Sequence, residues 1–127
     1  MDATPLLLAE DEQLIALTLQ EALEEGGYVV RHVLSGEDAL RVIETGEPAL
    51  AGLITDIRLV GEPDGWALAR RARELTPSLP VVYMSGDSGH EHAAYGVPGS
   101  VMLHKPFASA QLVTAISALL NAAPSTA

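Results

Sequence analysis

The sequence contains no cysteine, which removes disulfides and thiolate metal sites and is compatible with a reducing compartment. Positive charge is scarce. Seven Lys and Arg face 17 Asp and Glu, for a formal net charge of -10. Such a chain repels a phosphate backbone, and no basic stripe offsets the repulsion, so no nucleic-acid partner is expected. Long hydrophobic runs are also missing. The first, Leu6-Leu7-Leu8-Ala9, breaks at Glu10, too short for a signal sequence or a membrane span, so no membrane association is expected and a cytoplasmic location is the default. Neither a linker nor an internal repeat divides the chain. With 127 residues and 48% hydrophobic content it fits one domain over 1–127, with a packed core over about 5–121 and loose ends at Met1 to Pro5 and Ala122 to Ala127.

What is present alternates. Short apolar or β-branched runs at Leu6 to Ala9, Val29 to Val33, Leu53 to Thr55, Val81 to Ser85 and Val101 to Leu103 suit strands buried on both faces. Helical stretches lie between them. Gln13 to Glu25 groups Ile15, Leu19, Ala22 and Leu23 and stops at Gly26-Gly27. Ser35-Gly36-Glu37-Asp38 has capping-box spacing before Leu40 and Ile43, and Gly46 closes that helix. Trp66 to Leu75 halts before Pro77, and Ala110 to Leu120 aligns Leu112, Val113, Ile116, Leu119 and Leu120. Strands alternating with helices imply a parallel sheet with right-handed crossovers and helices on both faces, an α/β doubly wound fold. Ligands in such sheets bind beyond the carboxyl ends of the strands.

Chemistry-bearing residues sit at those ends. Glu10 and Asp11 follow the first run, Asp56 the third, Ser85 ends the fourth and Lys105 follows the fifth. Three carboxylates about 4 Å apart would repel by about 4 kcal/mol per pair at an effective dielectric near 20, and so call for a cation. Oxygen-only ligands favour a hard divalent ion, and a shallow carboxylate site suits Mg2+, which keeps waters and shares phosphoryl oxygens. With charge so managed, Asp56 can act as a nucleophile toward phosphorus, while Lys105 offers a point charge and Ser85 a hydroxyl to phosphoryl oxygens.

The ordered set LLLAEDE, LITDIRL, DGW, YMSG and HKPF resembles the receiver domain of two-component response regulators over essentially the whole chain. That resemblance implies a flavodoxin-like five-stranded parallel sheet of order 2-1-3-4-5. It also implies Asp56 as phosphoacceptor, Asp11 as a direct Mg2+ ligand, Glu10 as a ligand mainly through water, the Arg58 backbone carbonyl as a third ligand, and Ser85 and Lys105 on the phosphoryl oxygens. The donor would be a phosphohistidine on a sensor histidine kinase or histidine phosphotransfer protein, and the downstream partner is unknown. The resemblance further suggests a cis peptide bond between Lys105 and Pro106. On this reading the chain is a stand-alone, phosphorylation-controlled interaction module, because the sequence stops soon after the fifth helix. It is then not an enzyme beyond its own phosphorylation and dephosphorylation.

Competing readings are specific. Glu10-Asp11 could merely complement a helix dipole, Asp56 could form a turn, Ser85 could satisfy loop backbone, and Lys105 could be solvated. A phosphorylation-independent pseudo-receiver and an aspartyl-phosphate phosphatase are the alternative functions. The phosphatase chemistry wants a second acid two residues after the nucleophile, where this chain has Arg58. Trp66 is expected to be a packing residue at the start of its helix, and His90 and His92 to be solvated. Departures from the family pattern include Met102, where receivers commonly carry an aromatic residue, and Val60, where many have proline. Arg58 and Asp87 flank the cleft at positions that vary in the family, and are expected to tune phosphoryl lifetime. Gly86, Gly89, Gly96, Pro98 and Gly99 leave only about His90 to Tyr95 for a short, distorted or mobile fourth helix.

Overall fold

In the computed structural model, residues 5–87 and 89–122 are described. The chain runs β1 (Leu6–Ala9), α1 (Gln13–Glu25), β2 (Val30–Val33), α2 (Gly36–Thr45), β3 (Gly52–Asp56), α3 (Gly65–Leu75), β4 (Val81–Ser85), a 3-10 turn (Gly89–Glu91), α4 (His92–Tyr95), β5 (Val101–His104) and α5 (Ser109–Ala122). All strand pairs are parallel, in the order β2-β1-β3-β4-β5. This is the flavodoxin-like arrangement that the alternation and the resemblance predict. Of the expected loose ends, positions 1–4 and 123–127 lie outside the described residues, whereas Pro5 is buried and Ala122 belongs to α5.

Helix boundaries follow local chemistry. The Ser35 hydroxyl accepts from the Asp38 amide at 3.1 Å, and Gly46 takes the left-handed conformation (φ 69°) that ends α2. The Asp64 carboxylate accepts from Ala67 N at 2.9 Å, so α3 begins at Gly65, one residue before the expected Trp66. On α1 the buried face is Ala16, Leu19 and Leu23, with Ile15 and Ala22 only partly covered. The expected stripe was therefore displaced slightly around the helix.

Two cores sandwich the sheet. Leu7, Leu53, Val81 and Tyr83 pack with α2 and α3 on one face. Leu6, Leu8, Ile54, Val82 and Met84 pack with α1 and α5 on the other. The central strands β1, β3 and β4 are buried throughout, as strands covered on both sides require. This burial rigidly fixes the strand ends from which the functional residues project.

The segment between β4 and β5 is irregular, as its glycines and proline suggest: a 3-10 turn leads into a four-residue helix, and neither contains a buried residue. Trp66 is buried as expected, its ring centroid 4.7 Å from that of Tyr83. His90 is exposed, but the expectation that His92 is solvated is overturned. Its ring packs between Trp66 (6.4 Å) and Tyr83 (5.7 Å), and its Nε2 lies 2.8 Å from the Ser100 hydroxyl. The partners come from α3, β4 and the β5 approach, so local sequence gave no sign of them.

Candidate acidic phosphoryl site

Three strand ends build the cleft. β1 delivers Glu10 and Asp11, β3 ends on Asp56, and β5 passes to Lys105. Carboxylate oxygens of Glu10, Asp11 and Asp56 all lie within 4.8 Å of one another. Lys105 Nζ reaches across, 2.8 Å from Asp56 Oδ1 and 3.0 Å from Glu10 Oε1. The structure thus brings these four together. Ser85 stands at the end of the neighbouring strand, buried, its carbonyl accepting from Lys105 N at 2.8 Å and its hydroxyl from Asp87 N at 3.2 Å. Arg58 follows Asp56 in the loop after β3, with its side chain turned to the surface and its Nε 3.1 Å from Asp87 Oδ1. An exposed pair of this kind contributes little stability.

Glu10 is fully buried. Its Oε2 accepts from Glu12 N at 3.0 Å, while its backbone carbonyl lies 2.8 Å from His32 Nε2 on β2. Two anchors on the side chain fix one edge of the cleft. The peptide bond between Lys105 and Pro106 is cis, as the resemblance suggested.

The electrostatics are unbalanced without a cation. Burial disfavours a charge on Asp56, the hydrogen bond and repulsion from Glu10 add to this, and Lys105 only partly offsets them, so the Asp56 carboxyl is pushed up to about 8. Glu10 goes the other way: burial opposes its ionisation, but hydrogen bonds with Asp56, Glu12 N and Lys105 outweigh it. Burial likewise pulls Lys105 down, yet its two carboxylate partners raise it overall. One ammonium faces two buried carboxyls and a third acid alongside. The cluster therefore holds a proton where a divalent cation would restore the charge, and its all-oxygen donors fit a hard ion such as Mg2+.

Sequence reasoning missed several supports. A Cβ at Gly65 would stand 2.1 Å from the Asp56 backbone oxygen, so only glycine lets α3 start against the end of β3. Gly65 N also donates to Ile57 O at 2.7 Å. The Thr55 hydroxyl donates to Asp56 O at 2.8 Å. The DGW motif held the signal for Gly65, since a glycine directly after a helix-capping Asp marks a close backbone approach. The Glu12 amide carries no side-chain signature at all.

Comparison with known proteins agrees with this geometry. The family model described as the response regulator receiver domain matches residues 6–117. The chain is 36% identical to the response regulator receiver protein CpdR of Brucella abortus, covering 93% of this chain and 98% of that protein. It is 30% identical to the sensor kinase CckA of the same organism, of which it spans only 12%. Among solved structures, a response regulator receiver protein from Sinorhizobium medicae superposes with a TM-score of 0.93 at 46% identity, covering 97% of this chain and 98% of that one. Fold, acidic cleft and sequence similarity thus converge: the chain belongs to the response regulator receiver domain family of two-component signal transduction.

Proposed function

We propose that this domain accepts a phosphoryl group on Asp56 from a phosphohistidine donor in the presence of Mg2+, and that the product changes its binding to another protein. The observation that carries the reading is the convergence of Asp56, Glu10 and Lys105 within hydrogen-bond distance, with Asp11 alongside. Glu10, Asp11, Asp56 and the Arg58 carbonyl would hold the ion. When bound, it neutralises the carboxylates and the phosphoryl oxygens they would otherwise repel. An Asp56 carboxylate oxygen attacks phosphorus, the P–N bond to the donor imidazole breaks, and that nitrogen leaves with the bonding pair. Lys105 then pairs with a phosphoryl oxygen, and the Ser85 hydroxyl donates to another.

The donor in this reading is a sensor histidine kinase or histidine phosphotransfer protein. A groove beside the cleft supports it. Leu14, Ile15 and Thr18 of α1 line it together with Lys105, Pro106 and Phe107, and Leu14 is 81% exposed. In this reading the domain acts as a regulatory phosphoacceptor and works in the cytoplasm. Among the described residues no helix is long and apolar enough to cross a membrane.

Intact-mass measurement tests the assignment, using native protein and Asp56→Asn incubated with a small phosphodonor and Mg2+. Native protein gains one phosphoryl group and the variant none. Equal gain by both would remove Asp56 from the role.

A further inference from the structure

We propose that His32 is a positioning residue for the metal-binding end of β1: its Nε2–H holds the Glu10 carbonyl, and through that carbonyl it aims Asp11 into the cleft. This role rests on the function proposed above, in which Asp11 is a direct Mg2+ ligand. It adds a residue from the neighbouring strand that the acidic cluster does not itself contain.

The β1–β2 ladder runs from Leu6 against Val30 to Ala9 against Val33 and stops there. Beyond that rung β2 departs, and Ser35 bridges to Val60 in the loop after β3. Glu10 is thus the first residue past the ladder, yet it is fully buried, so both of its backbone polar groups need partners away from water. Its amide donates to Val33 O at 3.2 Å. Its carbonyl meets a side chain instead, the His32 imidazole, with Nε2 at 2.8 Å. A side chain therefore continues the pairing where the backbone of β2 leaves it. A carbonyl oxygen can only accept, so Nε2 carries the proton in this contact. The ring is well placed for it: His32 stands opposite Leu8, on the face of the sheet that α1 and α5 cover, and is itself half-buried.

The consequence falls on Asp11. The peptide between Glu10 and Asp11 is planar, so a fixed Glu10 oxygen fixes the plane from which Asp11 departs. The Glu10 side chain has its own anchors, the Glu12 amide and Lys105 Nζ. Asp11 is different. Among the described residues no group donates to its carboxylate, although one of its oxygens stands within 4.8 Å of those of Glu10 and Asp56. Its direction therefore depends on the backbone before it, and His32 is the side chain that holds that backbone. Groups that orient a metal ligand in this way commonly carry about ten- to a hundredfold in affinity.

Binding of Mn2+, a hard stand-in for Mg2+, tests this when read from the electron paramagnetic resonance signal of the free ion on the full chain and competed with Mg2+. The proteins compared are native, His32→Gln, His32→Asn, His32→Leu and Asp11→Ala, with melting in chelator to show that each is folded. Gln carries an N–H at the same bond count from Cβ as Nε2, Asn falls one bond short, and Leu has no donor. His32→Leu and His32→Asn should bind Mn2+ about tenfold more weakly than native protein, and His32→Gln should bind like native protein. A histidine that merely satisfied a buried carbonyl would shift Tm and leave the affinity of the folded protein alone. Native affinity in folded His32→Leu, or an equal loss in His32→Gln, overturns the role of His32. Should His32→Leu not fold, the Asn and Gln variants decide, and equal affinity in those two overturns it. Native protein that binds no Mn2+, or binding that survives Asp11→Ala, would instead overturn the metal assignment in the function proposed above and the role of His32 with it.

Discussion

Lys105 Nζ lies 2.8 Å from Asp56 Oδ1, joining the end of β5 to the end of β3 across β4. The same ammonium is 3.0 Å from Glu10 Oε1, so a single cation is shared by two buried carboxyls, one of which is pushed up to about 8. The resting cleft is short of positive charge, and most of its expected behaviour follows from that.

Stability should depend on pH through Asp56. Its carboxyl titrates near 3.8 when unfolded and at about 8 in the metal-free fold. Between those values the native state binds the extra proton, so the contribution of this group to stability falls as pH rises. Glu10 has the opposite sign. Its lowered value adds stability above its ordinary 4.5 that is lost as pH drops below it. In chelator, Asp56→Asn should therefore melt higher than native protein at pH 8, with a smaller gap at pH 5. A gap independent of pH would contradict the charge assignment.

Magnesium should reverse the penalty. An ion that binds only the folded state stabilises by mass action, about 2.7 kcal/mol at a hundredfold excess over Kd. Millimolar Mg2+ should thus raise Tm, more at pH 8 than at pH 5, where protons compete for the carboxylates. Calorimetry on Asp11→Ala should show the rise abolished.

Gly65 should behave as a positioning residue for Asp56. A methyl there meets the Asp56 backbone oxygen at 2.1 Å, and such overpacking typically costs about 1–3 kcal/mol. Gly65→Ala should lower the urea midpoint and slow phosphoryl acceptance from a small donor, whereas Gly86→Ala, at a site with open space around it, should change stability by less than about 0.5 kcal/mol.

Leu14 separates protein donors from small ones. It is exposed on α1 beside the cleft, so Leu14→Asp should slow transfer from a phosphohistidine protein about tenfold, equivalent to about 1.4 kcal/mol of lost apolar contact. Its rate with a small phosphodonor should match that of native protein. Equal slowing with both would place Leu14 in the fold rather than at a docking surface.

Much of this was legible in the sequence. Buried parallel strands show as unbroken apolar runs, so β1, β3 and β4 could be placed within a residue or two, and with them the strand ends that carry Glu10, Asp56 and Ser85. Ser35 and Gly46 marked α2 because capping and left-handed termination are local events. Long-range neighbours left no such trace. His92 looked solvated because the rings that cover it lie in α3 and β4. Glu10 became fully buried through contacts with Lys105, 95 positions away, and with the Glu12 amide. The register of the α1 face shifted toward Ala16 because packing against α5 and the sheet, not periodicity, selects the buried side.

Locating the added phosphoryl group tests the central claim most directly. Native protein would react briefly with a small phosphodonor and Mg2+, then be reduced with hydride to trap any acyl phosphate, digested and sequenced by tandem mass spectrometry. The trapped modification should fall on Asp56 alone and vanish when Mg2+ is chelated. A modification on Glu10, Asp11, Ser85 or a histidine, or one indifferent to chelation, would contradict the account.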